Sequence, residues 1–378
     1  MDTTAEFDFI IVGGGMAGVS AAAHIAPSGK TLLLERESAL GTHSTGRSAA
    51  TFYQNYGASP VRALNRASLP FFMAPPAGFA NATLTRPLGS LMLAAPGDEA
   101  LFDAYLADPD RAASAVFVTA HEACARVPML YRERIGRAIF EPDALALDVD
   151  LLLQGFRRTA RAAGAEFRVD AEVMSITRDS GWCVRTSGGA ARAPVLVNAA
   201  GAWADELAAM AGVPLLGLAP KRRTAFTVAA PQGVDVRGWP MVVGVREDFY
   251  FKPDAGAILM SLADEADSPP CDAWPRDEDI ALAVDRIQQV ANVPVDRIVS
   301  RWAGLRSFMP DRVPCVGFDP LAGGFFWLAG QGGYGIQTAP ALARLAAALA
   351  SGRATPTDIT DCGLDLPSLS PARFRRSC

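Results

Sequence analysis

The stretch FIIVGGGMAGVSAAAHI, residues 9–25, decides the fold of this chain. Four hydrophobic residues predict a buried strand, and the glycines at Gly13, Gly15 and Gly18 predict a tight turn that opens a helix. In such a turn the first glycine permits the bend, the second lets the backbone approach a pyrophosphate, and the third lets the helix pack closely on the strand. The free N–H groups and partial positive charge of the helix N-terminus suit phosphate groups.

A second hydrophobic run, residues 31–34, ends in Glu35, about 20 residues after the central glycine, which is the spacing of the dinucleotide fingerprint. An acid at the carboxyl end of this second strand accepts the ribose hydroxyls of an adenosine. Strand, glycine turn, helix, strand and acid together predict a dinucleotide-binding unit. The fingerprint alone leaves FAD and NAD open, and a merely structural glycine turn is the other interpretation.

Length and composition limit the range of functions. The 378 residues, half of them hydrophobic, suffice for about two domains. A net charge of −5 with interspersed acids and bases favours neither nucleic acid nor an anionic membrane surface as a partner. Six cysteines without a CxxC pair argue against a metal site and a disulfide framework. With no apolar run of about 18 residues and an early first strand, we expect no membrane span, no signal peptide and a cytoplasmic location, with peripheral membrane association left open.

Three further segments have the composition of ligand-facing turns. STGRSAA, 44–50, is rich in small and hydroxyl residues and is expected to enter a second helix, with an ordinary capped helix as the alternative. NAAGAWAD, 198–205, is typical of a strand-end turn at the ligand-facing edge of an α/β sheet. GQGGYGIQ, 330–337, places glycines at a helix start, where N–H groups stabilise negative charge, although tight packing alone would also explain them.

These dinucleotide-type elements at the start, middle and end of the chain enclose strand-rich insertions, which predicts two interleaved domains. We predict an α/β fold in which a Rossmann-like domain is interleaved with a β-sheet-rich α+β substrate domain. The predicted dinucleotide domain comprises residues 1–80, 145–213 and 300–378. The predicted substrate domain comprises residues 81–144 and 214–299.

The order of these motifs along nearly the whole chain resembles the D-amino acid oxidase superfamily of FAD-dependent oxidoreductases. Within the superfamily, four segments resemble most the bacterial D-arginine dehydrogenases. The resemblance implies FAD rather than NAD, and a two-domain fold of the glutathione-reductase-like type with the flavin ring at the domain interface. Because Cys315 is not where a covalent attachment is expected, we predict non-covalent FAD. The superfamily motifs are the glycine fingerprint, ERE, STGRSAA, VNAAGAW, WAGLRSFMPD and GQGGYGIQTAP, and the four segments are HSTGRSAA, LGLAPKRRTAF, FYFKPDAG and QGGYGIQT.

The resemblance implies a cofactor role for residues in and around these motifs. Val173 matches a residue whose backbone holds the adenine. The predicted cofactor residues are Gly13, Gly15, Met16, Ala17, Gly18, Glu35, Arg36, Ser44, Thr45, Gly46, Arg47, Ser48, Ala49, Val173, Ala200, Gly201, Trp203, Arg306, Gly332, Gly333, Tyr334, Gly335, Ile336 and Gln337.

The resemblance also implies a site for the substrate carboxylate. Arg306 and Arg223 match arginines that bind the α-carboxylate, and a planar guanidinium gives the bidentate geometry that fixes Cα against the flavin. Tyr250 matches a tyrosine whose hydroxyl reaches the same carboxylate, and Tyr56 one on a mobile loop over the pocket. An isolated arginine or tyrosine is ordinarily a surface or core residue, so these assignments depend on the motifs. The neighbouring Arg222 is expected to be a surface or structural residue.

One departure concerns the substrate side chain. The bacterial D-arginine dehydrogenases have a glutamate where the substrate guanidinium binds, whereas the equivalent stretch RPLGSLML carries Ser90, with no acid between Asn81 and Pro96. Their loop histidine is replaced by Thr51, and Gly333 completes the predicted side-chain pocket. Because a buried cation without its acid is strongly unfavourable, we expect a neutral aliphatic or aromatic side chain rather than that of D-arginine or D-lysine.

The predicted reaction is FAD-dependent oxidative deamination of a D-amino acid by hydride transfer from Cα to flavin N5. The imino acid is then hydrolysed to a 2-oxo acid and ammonia. Positioning supplies much of the rate, so none of the three histidines is needed as an acid or base; His24 is expected in a helix, His43 in a structural role and His121 on the surface. Arg246 leaves an acidic substrate as a minor alternative.

The resemblance favours a dehydrogenase that passes electrons to a quinone or another carrier, with O2 left open as acceptor. Two rival functions remain at this point. One is a secondary-amine oxidase acting on sarcosine, proline or an N-methyl amino acid, which would use the same arginines. The other is a non-catalytic flavin-binding subunit, although such a subunit has no need of the carboxylate site at Arg223 and Arg306.

Overall fold

The computed structural model of the chain describes residues 4–375. Its α-helices are α1 Met16–Ile25, α2 Ser59–Met73, α3 Glu99–Leu106, α4 Pro109–Ser114, α5 Ala120–Arg126, α6 Val149–Ala162, α7 Ala204–Met210, α8 Asp277–Val290, α9 Gly335–Ala350 and α10 Thr357–Thr360. Short 3-10 helices lie at Ala26–Ser28, Arg132–Arg134, Gly201–Trp203, Leu366–Leu369 and Pro371–Phe374.

The strands fall into four sheets. In chain order they are β1 Ala5–Glu6, β2 Phe9–Val12, β3 Thr31–Leu34, β4 Thr51–Phe52, β5 Thr85–Pro87, β6 Ser90–Ala94, β7 Val116–Val118, β8 Arg137–Glu141, β9 Leu145–Leu147, β10 Glu166–Arg168, β11 Val173–Arg178, β12 Trp182–Thr186, β13 Gly189–Ala193, β14 Val195–Asn198, β15 Ala219–Ala229, β16 Met241–Gly244, β17 Tyr250–Asp254, β18 Ala257–Ser261, β19 Ala266–Asp267, β20 Ile298–Phe308, β21 Cys315–Phe318 and β22 Phe325–Ala329.

A six-stranded sheet, in the order β10-β3-β2-β14-β22-β21, carries the dinucleotide fingerprint. Its neighbours are parallel except for β21, which runs antiparallel to β22. All four residues of β2 are buried, as expected of a parallel strand covered on both faces. Helices α1, α6 and α9 contribute to the core on one face, while residues of the four-stranded sheet β1-β13-β12-β11 contribute to the core on the other. The predicted strand, turn, helix and strand are therefore present.

A nine-stranded mixed sheet follows the order β19-β15-β18-β17-β16-β6-β8-β7, with β20 paired to β15. Only β16 and β6 run parallel; the other neighbours in this sheet are antiparallel. One face of the sheet packs on α5 and α8 in an apolar core. The other face carries Met241, Tyr250 and Leu259, which pack together toward the site described below.

Strand β20 pairs with β15 along almost its whole length, from Ile298 to Phe308, although the predicted domain boundary lies at residue 300. The division of the chain into two domains otherwise remains a prediction. A three-stranded sheet, β4-β9-β5, completes the architecture. No helix among residues 4–375 combines the length and the apolar character that crossing a bilayer requires.

The expected helix after STGRSAA is wrong. Residues 41–47 form consecutive turns, residues 48–50 are irregular and lead into β4, and the next helix begins only at Ser59. The loop is held by long-range bonds: Ser44 Oγ donates to the carbonyl of Leu305 at 2.6 Å, and Arg47 Nη1 donates to the carbonyl of Ala303 at 3.0 Å. Contacts with β20, distant in sequence, thus replace the local capping that the composition suggested.

Candidate functional site

A cleft follows the ends of the two large sheets. On one side it is lined by the segments that leave β2, β3, β14 and β22 at their carboxyl ends, where open α/β sheets bind ligands. On the other side it is lined by residues of β15, β17 and β20 of the nine-stranded sheet. The loop 41–50 contributes to the same lining. The cleft therefore lies where the predicted cofactor and substrate residues come together.

The turn after β2 has no room for a side chain at Gly13 or Gly18. A Cβ at Gly13, which has a φ of +115°, would lie 2.2 Å from the carbonyl oxygen of Ala199, and a Cβ at Gly18 would lie 1.9 Å from that of Gly13. Gly15 is the N-cap of α1 and offers no side-chain bond, while Thr45 Oγ1 accepts from the N–H of Met16 at 3.0 Å. The turn thus presents backbone and a helix N-terminus to the cleft.

Glu35 lines the cleft at the end of β3. Its carboxylate accepts the N–H of Gly14 at 2.6 Å and the N–H of Glu37 at 2.8 Å. Two backbone bonds fix the orientation of this acid while its remaining lone pairs stay available for a ligand hydroxyl.

The side chains of Arg36, Trp203 and His43 pack together near Glu35. The Arg36 guanidinium lies 3.8 Å above the ring of Trp203, and the His43 ring is 4.9 Å from the same ring. His43 Nε2 is 2.8 Å from Glu37 Oε1, and this hydrogen bond, opposed by burial and aided by Arg36, lowers the pKa of Glu37. Arg36, Trp203 and His43 all line the cleft.

Two arginines meet at the other end of the cleft. Arg223 pairs with Gly304 in the β15–β20 ladder, so Arg306, two residues along, projects from the same face. Arg306 donates to Tyr56 Oη at 3.4 Å and has no carboxylate within 4.0 Å among residues 4–375. Burial and the positive charge of Arg306 lower the pKa of Arg223. Tyr250, 4% exposed, lines the same region, so the geometry is that of an anion site.

Hydrogen bonds to residues that do not line the cleft fix the position of Arg223. Its Nε donates to the carbonyl of Asp264 at 2.6 Å, and its Nη2 lies 3.3 Å from Glu265. Arg312 forms two bonds to the same Glu265 carboxylate, at 2.9 and 3.0 Å, which leaves Glu265 shared between two cations. The neighbouring Arg222 is buried and bonded to Asp279 at 2.8 Å, so it is structural as expected and does not lie at the surface.

Most of the predicted cofactor residues lie on the cleft. Those that line it are Gly13, Gly15, Met16, Ala17, Glu35, Arg36, Ser44, Thr45, Arg47, Ser48, Ala49, Val173, Ala200, Gly201, Trp203, Arg306, Gly332, Gly333, Gly335 and Ile336.

The other four predicted cofactor residues lie behind the lining. Gly18 packs on Gly13, as described, and the N–H of Gly46 closes a turn on the carbonyl of Gly41 at 2.8 Å. Tyr334 stacks edge-on against Tyr56, with ring centres 5.0 Å apart, and burial raises its pKa to about 12. Gln337 is 2% exposed, and its Oε1 accepts the N–H of Tyr53 at 3.0 Å.

Of the three predicted side-chain pocket residues, Gly333 lines the cleft and the other two lie one layer behind it. Thr51 Oγ1 is 4.0 Å from Met241 Sδ, and Ser90 pairs with Met241 in the β16–β6 ladder. Met241 packs against Tyr250, which faces the cleft. Thr51 and Ser90 are thus brought together at the wall behind Tyr250.

Three polar atoms on the cleft were not foreseen from the sequence. Ser307 Oγ, Gln331 Nε2 and His43 Nδ1 are buried without a hydrogen-bond partner among the described residues. Orphaned buried polar atoms are uncommon, and a polar ligand in the cleft would satisfy them. Ser307 directly follows Arg306 and Gln331 lies inside GQGGYG, so both stand beside residues that the motifs already indicate.

The sequence matches the family profile described as FAD dependent oxidoreductase over residues 8–349. The chain belongs to this family. The cofactor is therefore FAD, as predicted, and the cleft fits it: a glycine turn admits the pyrophosphate, Glu35 suits the ribose, and orphaned polar atoms await partners. None of the cysteines in the described part of the chain lines the cleft, and burial raises the pKa of Cys315 to about 12. No cluster of metal-binding side chains occurs within residues 4–375.

The sequence is similar to three curated proteins: a glycine oxidase, a dimethylglycine dehydrogenase and a D-amino acid dehydrogenase. A glycine oxidase of Geobacillus kaustophilus is 27% identical over 253 residues, which cover 66% of this chain and 65% of that protein. Human mitochondrial dimethylglycine dehydrogenase is 26% identical over 364 residues, covering 86% and 40%. A D-amino acid dehydrogenase of Paramagnetospirillum magneticum is 28% identical over 236 residues, covering 61% and 54%. The matched regions thus span less than two thirds of each relative.

The structure of glycine oxidase from Geobacillus kaustophilus superposes with a TM-score of 0.80 at 24% identity, covering 99% of this chain and 100% of that one. This similarity confirms the predicted α/β fold of the D-amino acid oxidase type. It does not reach the narrower resemblance to D-arginine dehydrogenases, which stays a prediction.

Proposed function

We propose that this protein oxidises the α-amine of a D-amino acid with a neutral side chain, using FAD. The observation that carries the proposal is the pair Arg223 and Arg306, two buried guanidinium groups facing one cleft, of which Arg306 has no carboxylate partner among the described residues. Buried like charges are unfavourable without a counter-ion. A substrate α-carboxylate supplies that counter-ion.

The surroundings of Arg306 support bidentate binding. Gly333 lies directly against the guanidinium, since a Cβ there would be 2.9 Å from Nη1, and Tyr56 Oη bonds the same nitrogen at 3.4 Å. A guanidinium fixed in this way holds both carboxylate oxygens and so limits the positions open to Cα. Tyr250 offers a further hydroxyl on the same side.

In this reaction the main contribution of the protein is to position the substrate. When bound, FAD supplies the acceptor for the hydride that leaves the substrate Cα. The ionisable side chains that line the cleft at the carboxylate site are those of Arg223, Arg306 and Tyr250, and guanidinium and phenol groups are not bases near neutral pH. We therefore assign loss of the amine proton to water and the rate contribution of the chain to orientation. Water then hydrolyses the imino acid to a 2-oxo acid and ammonia.

A neutral side chain fits the wall next to Tyr250. Met241, Leu259 and Trp302 pack there, with Tyr53 and Leu88 at the margin. Arg246 is not available for an acidic substrate, because it is bonded to the buried carboxylate of Asp98 at 3.0 Å.

An N-alkylated amino acid is the second candidate substrate. The similarity to dimethylglycine dehydrogenase over 86% of this chain favours it, and the same two arginines would bind its carboxylate. For either substrate we propose non-covalent FAD and reoxidation by a quinone or another carrier rather than by O2.

The decisive experiment is anaerobic mixing of the purified yellow protein with D-, L- and N-methyl amino acids while the flavin absorbance is recorded. Bleaching by neutral D-amino acids supports the proposal, and bleaching by N-methyl compounds alone moves the assignment to the second candidate. If no amine bleaches the flavin, the chain is a flavin-binding subunit without this activity. Air then separates an oxidase, whose colour returns quickly, from the dehydrogenase that we propose.

A further inference from the structure

The part of the chain that carries Tyr56 is a tight turn held by one buried amide. Residues 53–57, which we call the Tyr56 segment, leave β4 and turn back before α2 begins. Asn65 Nδ2, in α2, donates to the carbonyls of Tyr53 and Gln54 at 3.1 Å each. The same nitrogen donates to the carbonyl of Tyr56 at 3.2 Å. Three carbonyls of the turn therefore converge on a single side chain.

Asn65 is a costly residue at its position. It lies in the middle of α2 and is fully buried. Asparagine is a poorer helix former than alanine or leucine, and an amide without hydrogen bonds is expensive to bury. Its Oδ1 has no hydrogen-bond partner among the described residues, so the bonds from Nδ2 to the Tyr56 segment are what offsets the cost. Exchanging the two amide atoms would set an oxygen against three carbonyl oxygens, which supports the orientation described here.

Other side chains hold the two ends of the same segment. Gln337 Oε1 accepts the N–H of Tyr53 at 3.0 Å, and its Nε2 donates to the carbonyl of Tyr53 at 3.3 Å. At the other end, Arg62 Nη1 donates to the carbonyl of Gly57 at 3.0 Å. Asn65 holds the centre, between these two anchors.

The side chain of Tyr56 extends from this turn to the carboxylate site. Its hydroxyl accepts a bond from Arg306 Nη1 at 3.4 Å, and its ring packs edge-on against Tyr334. Because the hydroxyl accepts this bond, its own proton stays available for a carboxylate oxygen. A contact of 3.4 Å is near the limit for a hydrogen bond, so a small displacement of the Tyr56 backbone would remove it.

We infer that Asn65 is a positioning residue for the substrate carboxylate, because it holds the backbone of Tyr56 where the Tyr56 hydroxyl reaches Arg306. The inference rests on the proposed function. Asn65 does not line the cleft, so it acts on the carboxylate site through Tyr56. Without its amide, three carbonyls of the turn would lose a donor, and the turn would rearrange to find others.

The test is a double-mutant cycle between Asn65→Leu and Tyr56→Phe, with KM and kcat measured for a neutral D-amino acid. Asn65→Leu removes the donor at similar side-chain volume, and Tyr56→Phe removes only the hydroxyl. We expect each single change to raise KM about fivefold with kcat little changed, as for the loss of one hydrogen bond in binding. The double variant should show the same increase of about fivefold, rather than the roughly 25-fold of independent effects.

Ser68→Ala is the matched control. Ser68 is fully buried in the same helix, but its Oγ accepts the N–H of Ala341 in α9 at 3.1 Å and makes no bond to the Tyr56 segment. We expect this change to lower the free energy of unfolding and to leave KM unaltered. If Ser68→Ala raises KM as much as Asn65→Leu does, the effect is a general loss of stability and the inference fails.

Other results also overturn the inference. If the effects of Asn65→Leu and Tyr56→Phe on KM multiply, or if either single change leaves KM unaltered, the inference fails while the proposed function stands. If no amino acid reduces the flavin of the unaltered protein, the proposed function fails, and the inference fails with it. Should Asn65→Leu not fold with FAD, Asn65→Asp, which keeps the shape and has at most one donor, takes its place with the same expected direction.

Discussion

Arg306 packs directly on Gly333, because a Cβ at residue 333 would lie 2.9 Å from Nη1 of the guanidinium. Real Cβ atoms essentially never approach so closely, so the absence of a side chain at residue 333 sets the position of the arginine. The glycine-rich motif before α9 thus shapes the proposed substrate site as well as the proposed cofactor site.

The first prediction follows from this contact. Gly333→Ala should displace the guanidinium and raise KM for the amino acid by about tenfold, corresponding to one impaired charge-assisted hydrogen bond. Gly238→Ala, where a Cβ meets nothing within 4 Å, is the control and should leave KM unchanged. Steady-state kinetics with a neutral D-amino acid provides the measurement. An unchanged KM in Gly333→Ala would show that Arg306 does not bind the substrate.

The second prediction concerns bidentate binding. Arg306→Lys keeps the charge but loses the planar fork, so kcat/KM should fall by about 100-fold. The same change at the exposed Arg237 should have no effect. Glycine, which has no side chain to add affinity, should be affected to the same degree as larger amino acids. Equal rates for Arg306→Lys and the unaltered protein would remove the basis of the proposed function.

The third prediction concerns the cofactor. Glu35→Gln should weaken FAD binding by about tenfold, because the amide replaces one of two acceptor oxygens that bond backbone N–H groups and that we expect to bind the ribose. The measurement is titration of the apoprotein with FAD, followed by the quenching of flavin fluorescence. Glu6→Gln, an exposed change on β1, serves as the control. FAD binding that is equally tight in Glu35→Gln would place the ribose elsewhere.

The fourth prediction concerns the buried polar atoms of the cleft that have no hydrogen-bond partner among the described residues. Gln331→Leu should change the reduction potential of the flavin or its affinity, since Gln331 Nε2 is buried on the cleft without a partner in the described residues. Potentiometric titration of the FAD-loaded protein measures the first quantity and equilibrium dialysis the second. If neither quantity changes, the Gln331 amide does not contact the cofactor.

The fifth prediction concerns stability and pH. Burial, with the positive charges of Arg344 and Arg353, lowers the pKa of His24 from 6.5 to about 4. Between these values the unfolded chain binds a proton that the folded protein does not, so the free energy of unfolding should decrease as the pH falls from 6.5 toward 4. His24→Gln should flatten this slope in denaturant titrations, and the exposed His121→Gln should not.

Local features of the site could be predicted from the sequence, and features made by distant strands could not. The turn at Gly13 and the acid Glu35 belong to one continuous unit, so spacing alone identifies them. The placement of Met241 beside Ser90 depends on the pairing of two strands far apart in sequence, and no local pattern encodes that register. The helix expected after residue 50 failed for the same reason, since Leu305 and Ala303 hold the preceding loop.

The bonds between loop 41–50 and β20 also join the two sides of the cleft. Ser44 and Arg47 donate to carbonyls of β20, and Trp302 Nε1 donates to the carbonyl of Arg47 at 3.1 Å. Three hydrogen bonds therefore connect loop 41–50 to β20. A clamshell opening would break all three bonds at once. The Tyr56 side chain makes one bond of 3.4 Å to Arg306 and packs edge-on against Tyr334. The loop motion that we propose for Tyr56 would therefore have to break these local contacts and would leave the bonds between loop 41–50 and β20 intact.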